Sequence, residues 1–581
     1  MKTKNLIKNL DWLRNDIIGR NKVFKTPFGK KPLVYADYTA SGRCLYSVEN
    51  YLMHIMQYYA NTHTEDDFTG KTMTRLLREA EKSIKSSVNA GKHGKIIFTE
   101  SGTTGGITRL QQILGVFWPP ATREKISLFL DNWREHDPSR TQCSQELLDF
   151  IQRHKPIVFV GPYEHHSNEI MWRQTLCEVV EAPFNEKEEI DLVKLEQMVS
   201  DPALHKRLKI GSFSAASNVT GMLSPVYEIA AILHKHNAIA CFDFAACAPY
   251  VEIDMNRDSM SYFDAIYLSP HKFLGGPGSA GILVFNENIY SKHLPPTVAA
   301  GGTVDYVSPE GEDFVHDIET REKPGTPGIL QAIKTSLAFQ VKEKVGLKTI
   351  SQIEIHYYEK FKKAFNNEEK IIFYGPQDFN KKIPIIPFNI WHNSGLLHPK
   401  FVTRLLNDLF GIQTRAGCSC AGPYGHRLMH IDEQASNFYR NLISSAGYAG
   451  IKPGWVRLNL HYALSEEELD YIIQALKFAV TYAHRFIPQY VFDIKTGDWK
   501  HIDADEFEKP AELDIDRIYK ARRFKIKEEK NIKEIYTDTI RKAYEISKKL
   551  SDEFEKINFE PELKYLVYFP VKNIINYSKR G

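Results

Sequence analysis

Short apolar runs alternate with helix-like segments through the middle of the chain. Between several of these runs, hydrophobic residues recur at helical spacing, as in residues 192–199 and 226–234. Strands that alternate with helices at this spacing predict an α/β fold, in which a mostly parallel sheet carries helices on both faces. Six apolar runs have the length of buried strands, and they cover residues 95–99, 157–160, 210–214, 238–243, 265–268 and 282–285.

The pattern changes twice in the second half of the chain. Residues 330–345 predict one long helix, and the following residues mix helices with strand-like pieces such as 455–460. Farther on, residues 519–550 are rich in lysine and arginine and have the helical periodicity of a separate appendage. These changes predict four parts, which are an N-terminal segment (1–34), a large domain (35–330), a small α+β domain (331–485) and a helical C-terminal extension (486–581).

Composition narrows the function classes without choosing among enzymes. The chain has 581 residues, 43% hydrophobic and 25% charged, which is ordinary for a globular enzyme of more than one domain. A net charge of +3, with no arginine-rich run among aromatic residues, gives no reason to expect nucleic acid as a partner. We expect no membrane span and no signal peptide, because no sufficiently long apolar run is present. Seven cysteines in this length predict reduced thiols and a cytoplasmic location.

A carboxylate and an amine follow two successive predicted strands. Asp243 ends the run 238–243, and Lys272 comes shortly after the run 265–268. Judged alone, each is more often a structural or solvated residue. Together they suit pyridoxal phosphate (PLP), which needs an amine for a Schiff base and an acid that keeps its pyridine nitrogen protonated.

A turn of small residues follows the first predicted strand. Gly102, Thr103 and Thr104 precede a helical pattern, so backbone N–H groups at a helix start could approach a phosphate. The alternative is an ordinary turn with a threonine N-cap, and the residues alone do not decide between the two.

A second glycine pattern is typical of a different cofactor site. Residues 276–281 match GxGxxG, the pattern of dinucleotide-binding turns. A strand-like run follows it instead of a helix, and Pro277 lies inside the turn. The context that a nicotinamide site requires is therefore missing.

Nine motifs in a fixed order resemble the class V aminotransferases, a family of fold-type-I PLP enzymes, and within it the cysteine desulfurases and selenocysteine lyases. The resemblance spans about residues 35–468. It implies a seven-stranded, mostly parallel sheet in the large domain and a smaller α+β domain. The motifs are Tyr35-Ala36-Asp37, residues 98–104, Glu164-His165-His166-Ser167-Asn168, Ser217-Asn218-Val219-Thr220-Gly221, Asp243, Ser269-Pro270-His271-Lys272, Gly325-Thr326-Pro327, residues 415–421 and Arg457-Leu458-Asn459.

The resemblance implies roles around the cofactor ring. Lys272 would hold PLP and move protons at the substrate α-carbon, and Asp243 would bind the pyridine nitrogen. His165 would stack on the ring and assist proton transfer, while Asn218 would lie near the ring hydroxyl. Arg457 would bind the substrate carboxylate, for which a guanidinium fork is well shaped. In isolation, His165 is more often a hydrogen-bonded loop histidine and Arg457 a surface ion pair.

The resemblance also implies a phosphate site and a homodimer. Thr104, Ser269 and His271 would bind the phosphate, helped by the backbone near Thr103. Thr303 is a candidate for the phosphate contact that the other subunit supplies in this family.

Cys420 is the candidate sulfur nucleophile. It lies five residues after Arg415, as the loop cysteine does in cysteine desulfurases, where it becomes a persulfide. Positive charge from Arg415 or His426 could raise its thiolate fraction. Cys418 gives the loop a Cys-Ser-Cys form closer to that of molybdenum-cofactor sulfurases. A buried structural thiol is one alternative; a metal site is not expected, because two thiolates supply only half of a zinc site.

Several departures from the family pattern keep the reaction open. Ala246 stands where a glutamine is common, Gly105 where a glutamate is common, and Lys323 where an acidic residue is common. Residues 133–143 enlarge the region before His165. The leading hypothesis is a cysteine desulfurase that acts on L-cysteine and passes sulfur to an acceptor protein. The alternatives are transamination, epimerisation or β-elimination on the same fold, or a partner-binding protein with a residual PLP site.

Overall fold

The computed structural model describes residues 2–62, 64–136, 141–392, 395–504, 514–516, 519, 529 and 531–552. The chain forms two compact units. The central unit comprises Ser41–Ser217 and Met222–Leu347, and the terminal unit comprises Met1–Ala40, Asn218–Gly221 and Lys348–Gly581. Within the described ranges, none of the helices combines the length and apolar content of a membrane span.

The first forty residues belong to the terminal unit. Two short helices are followed by a two-stranded antiparallel hairpin, and a third short strand pairs in parallel with a strand near residue 412. Their bounds are α1 Lys2–Asn9, α2 Asp11–Asp16, β1 Val23–Thr26, β2 Gly29–Pro32 and β3 Val34–Tyr35.

A seven-stranded sheet forms the middle of the central unit. Its spatial order is β4-β10-β9-β8-β7-β5-β6, and only β10 runs antiparallel to its neighbours. The predicted fold class, an α/β fold with a mostly parallel sheet, is confirmed. The strands are β4 Gly94–Thr99, β5 Ile157–Val160, β6 Glu178–Glu181, β7 Lys209–Ser214, β8 Ile239–Asp243, β9 Ala265–Leu268 and β10 Gly281–Asn286.

Helices cover this sheet, and an antiparallel hairpin lies after it. The hairpin is β11 Val304–Ser308 with β12 Gly311–Phe314. The helices are α3 Tyr46–Ile55, α4 Phe68–Ser87, α5 Thr103–Ile113, α6 Pro120–His136, α7 Thr141–His154, α8 His166–Arg173, α9 Leu192–Val199, α10 Val226–Lys235, α11 Ile318–Arg321 and α12 Ile329–Val345.

Strands buried on both faces explain why the predicted runs are almost continuously apolar. Val158, Ile210, Tyr267 and Leu283 are each fully buried and belong to one core cluster. Only β6 was missed, because its sequence Glu-Val-Val-Glu has two apolar residues and it lies at the sheet edge. The GxGxxG segment leads into β10, a strand, as its sequence context indicated.

The rest of the terminal unit contains a second, smaller sheet. Strands β13, β14, β18 and β17 lie side by side in antiparallel order, and β15 pairs with the end of β14. The elements are α13 Leu347–Phe365, β13 Ile371–Phe373, β14 Ile385–His392, β15 Gly395–Leu396, α14 Pro399–Leu405, β16 Ile412–Gln413, β17 Arg415–Gly417, α15 Gly422–Leu428, α16 Glu433–Ser444, β18 Trp455–Asn459, α17 Glu466–Tyr482, β19 Tyr490–Asp493, β20 Asp498–His501 and α18 Ile532–Ser547.

Two boundaries differ from the sequence-based division. Helix α12 was assigned to the small domain, but it belongs to the central unit, where it packs on α4. The extension was expected to be separate, but α18 packs on α17, with the ring of Tyr536 stacked 4.4 Å from that of Tyr471. Aromatic residues on α18 therefore give it a packed face. Of the predicted basic stretch 519–550, residues 520–528 and 530 lie outside the described residues.

Candidate active site

Asp243 and Lys272 lie at the carboxyl ends of neighbouring parallel strands. Asp243 is the last residue of β8, and Lys272 ends a helical turn, Pro270–Lys272, that follows β9. Ligands bind at this edge of open parallel sheets. Asp243 is 4% exposed, and its Oδ1 accepts a hydrogen bond of 2.8 Å from the backbone N–H of Ala245. Burial raises the pKa of Asp243 to about 6, while that hydrogen bond and the charge of Lys272 act in the opposite direction.

Thr103 and Ser269 meet beside the start of α5. The backbone N–H of Thr103 donates to Ser269 Oγ over 3.0 Å, and the two buried hydroxyl oxygens are 2.5 Å apart. The chain approaches itself closely here, because a Cβ on Gly281 would lie 2.5 Å from the backbone of Gly102. The result is a turn of hydroxyls and small residues at the N-terminus of a helix, an arrangement suited to an anion.

Two histidines of the predicted site also lie in the central unit. His165 is the N-cap of α8, and its Nδ1 accepts from the backbone N–H of Ser167 over 3.2 Å, which leaves the ring proton of the neutral form on Nε2. Burial lowers the pKa of His271 to about 4, so its ring is neutral near pH 7. Thr104 Oγ1 lies 2.8 Å from Ser167 Oγ. His165, His271 and Thr104 are thus placed among residues of one unit with the Asp243–Lys272 pair.

Glu164 is a buried carboxylate that the sequence reasoning placed in a motif but gave no role. Its carboxylate accepts hydrogen bonds from the backbone N–H of Gly161 (3.0 Å), the side-chain amide of Asn168 (2.7 Å) and both the N–H and hydroxyl of Ser214. Burial raises its pKa to about 7, against the effect of these donors. Ser214 pairs with Asp243 across β7 and β8. Glu164 therefore ties the segment before His165 to the strand next to Asp243, and its position directly before His165 was the available signal.

Arg457 lies in the terminal unit, on β18. It is 4% exposed and donates to Asp37 Oδ1 over 2.9 Å and to the carbonyl of Asn218 over 3.1 Å. Its Nε has no acceptor within the described part of the chain. A buried guanidinium with one unsatisfied donor is able to donate a hydrogen bond to a further carboxylate oxygen. The structure thus gives Arg457 a buried ion pair, and its substrate-binding role stays a prediction.

Asn218 is joined to the cysteine loop within the terminal unit. Its side-chain amide donates to the carbonyl of Ser419 over 2.6 Å, whereas its Oδ1 has no donor in the described ranges. The predicted contact of Asn218 with a ring hydroxyl remains a prediction.

Cys420 is exposed on the loop between β17 and α15. Ser419 and Cys420 have φ angles of 54° and 57°, in the left-handed region that side chains other than glycine rarely adopt. Cys418 is half-buried. Burial lowers the pKa of His426, which disfavours a positive charge on its ring. Arg415, more than half exposed on the adjoining strand, remains as a source of positive charge.

The donor set of the central unit fits PLP. Lys272 supplies an amine, Asp243 a buried carboxylate, and Thr103 and Ser269 hydroxyls at the start of an eleven-residue helix. The close approach of Gly281 to the backbone of Gly102 leaves no room for a side chain at residue 281 beside that helix start. Thr303, the candidate for a contact across a dimer, is fully buried, and its hydroxyl donates to the carbonyl of Ala300 over 2.7 Å.

Known proteins resemble this chain in sequence and in fold. A probable cysteine desulfurase from Halalkalibacterium halodurans is 29% identical over 68% of this chain and 85% of its own length. Another from Staphylococcus aureus is 26% identical over 80% of this chain and 96% of its own length. Among solved structures, a cysteine desulfurase from Thermococcus onnurineus matches with a TM-score of 0.59 at 21% identity, covering 77% of this chain and 95% of that one. A cysteine desulfurase from Escherichia coli matches with a TM-score of 0.56 at 18% identity, covering 77% of this chain and 94% of that one.

The family match confirms the resemblance that the motifs indicated. The model of the class-V aminotransferases matches residues 34–124 and 143–472. The unmatched internal stretch, residues 125–142, includes most of α6 and the first two residues of α7. The unmatched C-terminal part contains β19, β20 and α18. The match covers well over half of the chain, and the chain therefore belongs to the class-V aminotransferase family.

Proposed function

We propose that this chain is a PLP-dependent cysteine desulfurase, which converts L-cysteine to alanine and keeps the sulfur as a persulfide on Cys420. The observation that carries the proposal is the exposed thiol of Cys420 on a loop of strained backbone, in a chain that also carries the Asp243–Lys272 pair. The names of the curated relatives support the same reaction.

The residues of the central unit prepare the amino acid for reaction. PLP, when bound, draws electrons away from the substrate α-carbon. The Lys272 amine takes the proton from that carbon, and the Asp243 carboxylate keeps the ring nitrogen protonated. Thr103, Thr104, Ser269 and His271 hold the phosphate as hydrogen-bond partners.

The residues of the terminal unit act on the rest of the substrate. Arg457 binds the substrate carboxylate, using its Nε or replacing its contact with Asp37. The Cys420 thiolate attacks the substrate sulfur, the carbon–sulfur bond breaks, and its electron pair stays with the substrate β-carbon. Protonation of that carbon gives alanine, while Cys420 holds the transferred sulfur as a persulfide.

His165 and Asn218 complete the proposed site. With Nδ1 accepting from the backbone, His165 presents an Nε2–H group that can donate a proton during turnover. The unsatisfied Oδ1 of Asn218 is an acceptor for the hydroxyl of the ring. Its bond to Ser419 also links it to the cysteine loop.

The proposed enzyme is a cytoplasmic homodimer that passes its sulfur to an acceptor protein. A second protein can reach the exposed loop of Cys420, and the free cysteines suit a cytoplasmic location. The buried hydroxyl of Thr303 is already bonded within its own loop, so we do not assign it the contact with the other subunit's phosphate.

The mass of the intact protein after treatment with L-cysteine tests the reaction. We expect a gain of one or more sulfur atoms that maps to the peptide of Cys420, together with release of alanine. Cys420→Ala should abolish both, because the thiol that we propose attacks the sulfur is lost. Cys418→Ala is the matched control and should keep persulfide formation on Cys420. Full turnover by Cys420→Ala would refute the assignment of the nucleophile, and a keto acid or racemised substrate without persulfide would select another PLP reaction.

A further inference from the structure

Two arginines lie directly opposite each other on neighbouring strands of the small sheet. Arg415 on β17 and Arg457 on β18 form one antiparallel pair. The side chains of such a pair project from the same face of a sheet with Cβ atoms about 5 Å apart, and like charges there repel each other. The side chain of Arg457 is 5% exposed, whereas that of Arg415 is 56% exposed. The sheet thus presents a buried and an exposed guanidinium side by side.

Asp37 lies between these two guanidinium groups. Its Oδ1 accepts a hydrogen bond from Arg457 over 2.9 Å, and its Oδ2 is 3.8 Å from Nη1 of Arg415. In the described part of the chain, Asp37 is the only carboxylate that pairs with either arginine. Two cations against one carboxylate leave one positive charge for a ligand.

The backbone holds Asp37 in this place. The N–H of the preceding residue, Ala36, donates to the carbonyl of Gln413 over 3.0 Å. The carbonyl of Ala36 accepts from the N–H of Asn459 over 2.9 Å. Gln413 lies just before β17, and Asn459 ends β18. The position of Asp37 is therefore fixed by the two segments of the chain that carry the arginines.

We propose that Asp37 determines which amino acids bind at Arg457, by excluding those with an anionic side chain. This inference rests on the proposed function, in which Arg457 binds the substrate α-carboxylate. Once that carboxylate is bound, Asp37 offsets the positive charge of Arg415, so that no charge remains for a second anionic group. A site rejects a competing ligand when that ligand would bring an unpaired charge against a like charge.

L-Cysteine meets this requirement. Its thiol has an unperturbed pKa of about 8.5, so its side chain is mostly neutral near pH 7. Aspartate carries a second carboxylate, which would face the carboxylate of Asp37. Without Asp37, the guanidinium of Arg415 would be available to bind that second carboxylate. Asp37 thus favours a substrate with a neutral side chain.

A purely structural role of Asp37 predicts a different result. Asp37 also relieves the repulsion between the two arginines, which stabilises the sheet. Loss of that stabilisation would weaken the binding of every amino acid alike. Loss of charge selection would instead change the ratio between the affinities for an anionic and a neutral ligand. The ratio of two dissociation constants therefore separates the two roles.

Calorimetric titration of the PLP-loaded full-length protein with L-alanine and with L-aspartate tests the proposal. The two ligands share the α-carboxylate and differ in the charge of the side chain. We expect the parent protein to bind L-alanine more tightly. Asp37→Asn keeps an acceptor for Arg457 but removes the negative charge. In this variant the ratio of the two dissociation constants should shift towards L-aspartate at least about tenfold, because the charge of Arg415 is no longer offset.

Replacement of Arg415 identifies the group that binds the second carboxylate. Asp37→Asn combined with Arg415→Gln should return the ratio to within about threefold of the parent value, because the available positive charge is lost again. Asp378→Asn is the matched control, since Asp378 is an exposed carboxylate of the terminal unit that caps a helical turn, as asparagine also can. This control should leave the ratio within about twofold of the parent value.

Three results would overturn the proposal. They are an unchanged ratio in Asp37→Asn, an equal shift in Asp378→Asn, and a shift that persists when Arg415 is also replaced. Equal weakening of both ligands counts as an unchanged ratio and would leave Asp37 with a structural role. Alanine release from cysteine is measured separately. Normal release with an unchanged ratio refutes this inference alone, whereas the expected ratio without release refutes the proposed reaction alone.

Discussion

The strand-end site of the central unit and the cysteine loop of the terminal unit are built in opposite ways. Asp243, Thr103 and Ser269 are buried, and backbone or neighbouring side chains hydrogen-bond each of them. Cys420 is exposed, and two consecutive residues of its loop have positive φ. Electrostatic control of a cofactor needs fixed dipoles in a water-poor site, whereas handing an atom to another molecule needs access. The strand-end site of the central unit meets the first requirement, and the cysteine loop of the terminal unit meets the second.

Removing the charge of Asp243 should have the largest effect. Asp243→Asn keeps the shape but cannot form an ion pair with a protonated ring nitrogen, so we expect kcat for alanine release to fall by about 100- to 1,000-fold. Steady-state kinetics with L-cysteine measures this. Asp258→Asn is the control, because Asp258 is an exposed loop carboxylate that accepts hydrogen bonds from the nearby backbone N–H groups of Met260 and Ser261. Equal losses in the two variants would remove the special role of the strand-end carboxylate.

Glu164→Gln tests whether the central site is held by its buried hydrogen bonds. The NH₂ group of the glutamine is a donor, so some of the groups that donate to Glu164 would lose their acceptor. Each buried donor left unsatisfied costs about 1–3 kcal/mol. We expect the free energy of unfolding to fall by about 2–4 kcal/mol in chemical denaturation at pH 5, and by less at pH 8, where ionisation of the buried carboxylate already lowers the stability of the parent protein. Glu186→Gln, at an exposed position of the same unit, should be neutral. A neutral Glu164→Gln would show that this network does not hold the site.

The stability of the PLP-free protein should depend on pH through Asp243. Burial raises the pKa of Asp243 to about 6 from its ordinary value of 3.8, so the folded protein binds more protons than the unfolded chain between these values. The stabilisation is fully present below pH 3.8 and is lost as pH rises through 6. Relative to Asp243→Asn, the parent protein should lose up to roughly 3 kcal/mol over this range. Denaturation at several pH values measures the difference in free energy of unfolding between the parent protein and Asp243→Asn. If this difference stays constant or increases with pH, burial does not raise the pKa of Asp243.

A substitution in the cysteine loop should have the smallest effect of these predictions. Ser419→Gly removes the steric cost of φ 54°, about 1 kcal/mol, and adds a similar amount of flexibility to the unfolded chain. We therefore expect the free energy of unfolding to change by less than about 1 kcal/mol. A loss above about 2 kcal/mol would mean that the loop is a packed part of the fold and would weaken the contrast between the two regions.

Sequence patterns predicted the sheet better than its edges and directions. Strands buried on both faces left continuous apolar runs, whereas β6, with glutamates at both ends, left none. The hydrophobic pattern carries no strand direction, so it could not predict that β10 is antiparallel to its neighbours. The packing of α18 was missed because its aromatic partners, such as Tyr471, lie far away along the chain.

For the candidate site too, the sequence predicted some features and not others. Asp243 and Lys272 were found because each follows a strand run. The role of Glu164 was not, because its burial depends on Ser214, fifty residues away. The lowered pKa of His426 also depends on three-dimensional burial, and the contact of Arg457 with Asp37 joins residues 420 positions apart. Local motifs identified reactive groups, but their protonation and partners required the fold.

Reduction with borohydride, followed by peptide mapping, tests the central assignment most directly. The protein is incubated with PLP, reduced, digested and analysed by mass spectrometry. We predict a single pyridoxyl-phosphate label on Lys272, and its loss in Lys272→Ala but not in Lys206→Ala, an exposed lysine of the same unit. A label on a different lysine, or none on the parent protein, would contradict the assignment of this strand-end amine as the cofactor's attachment point.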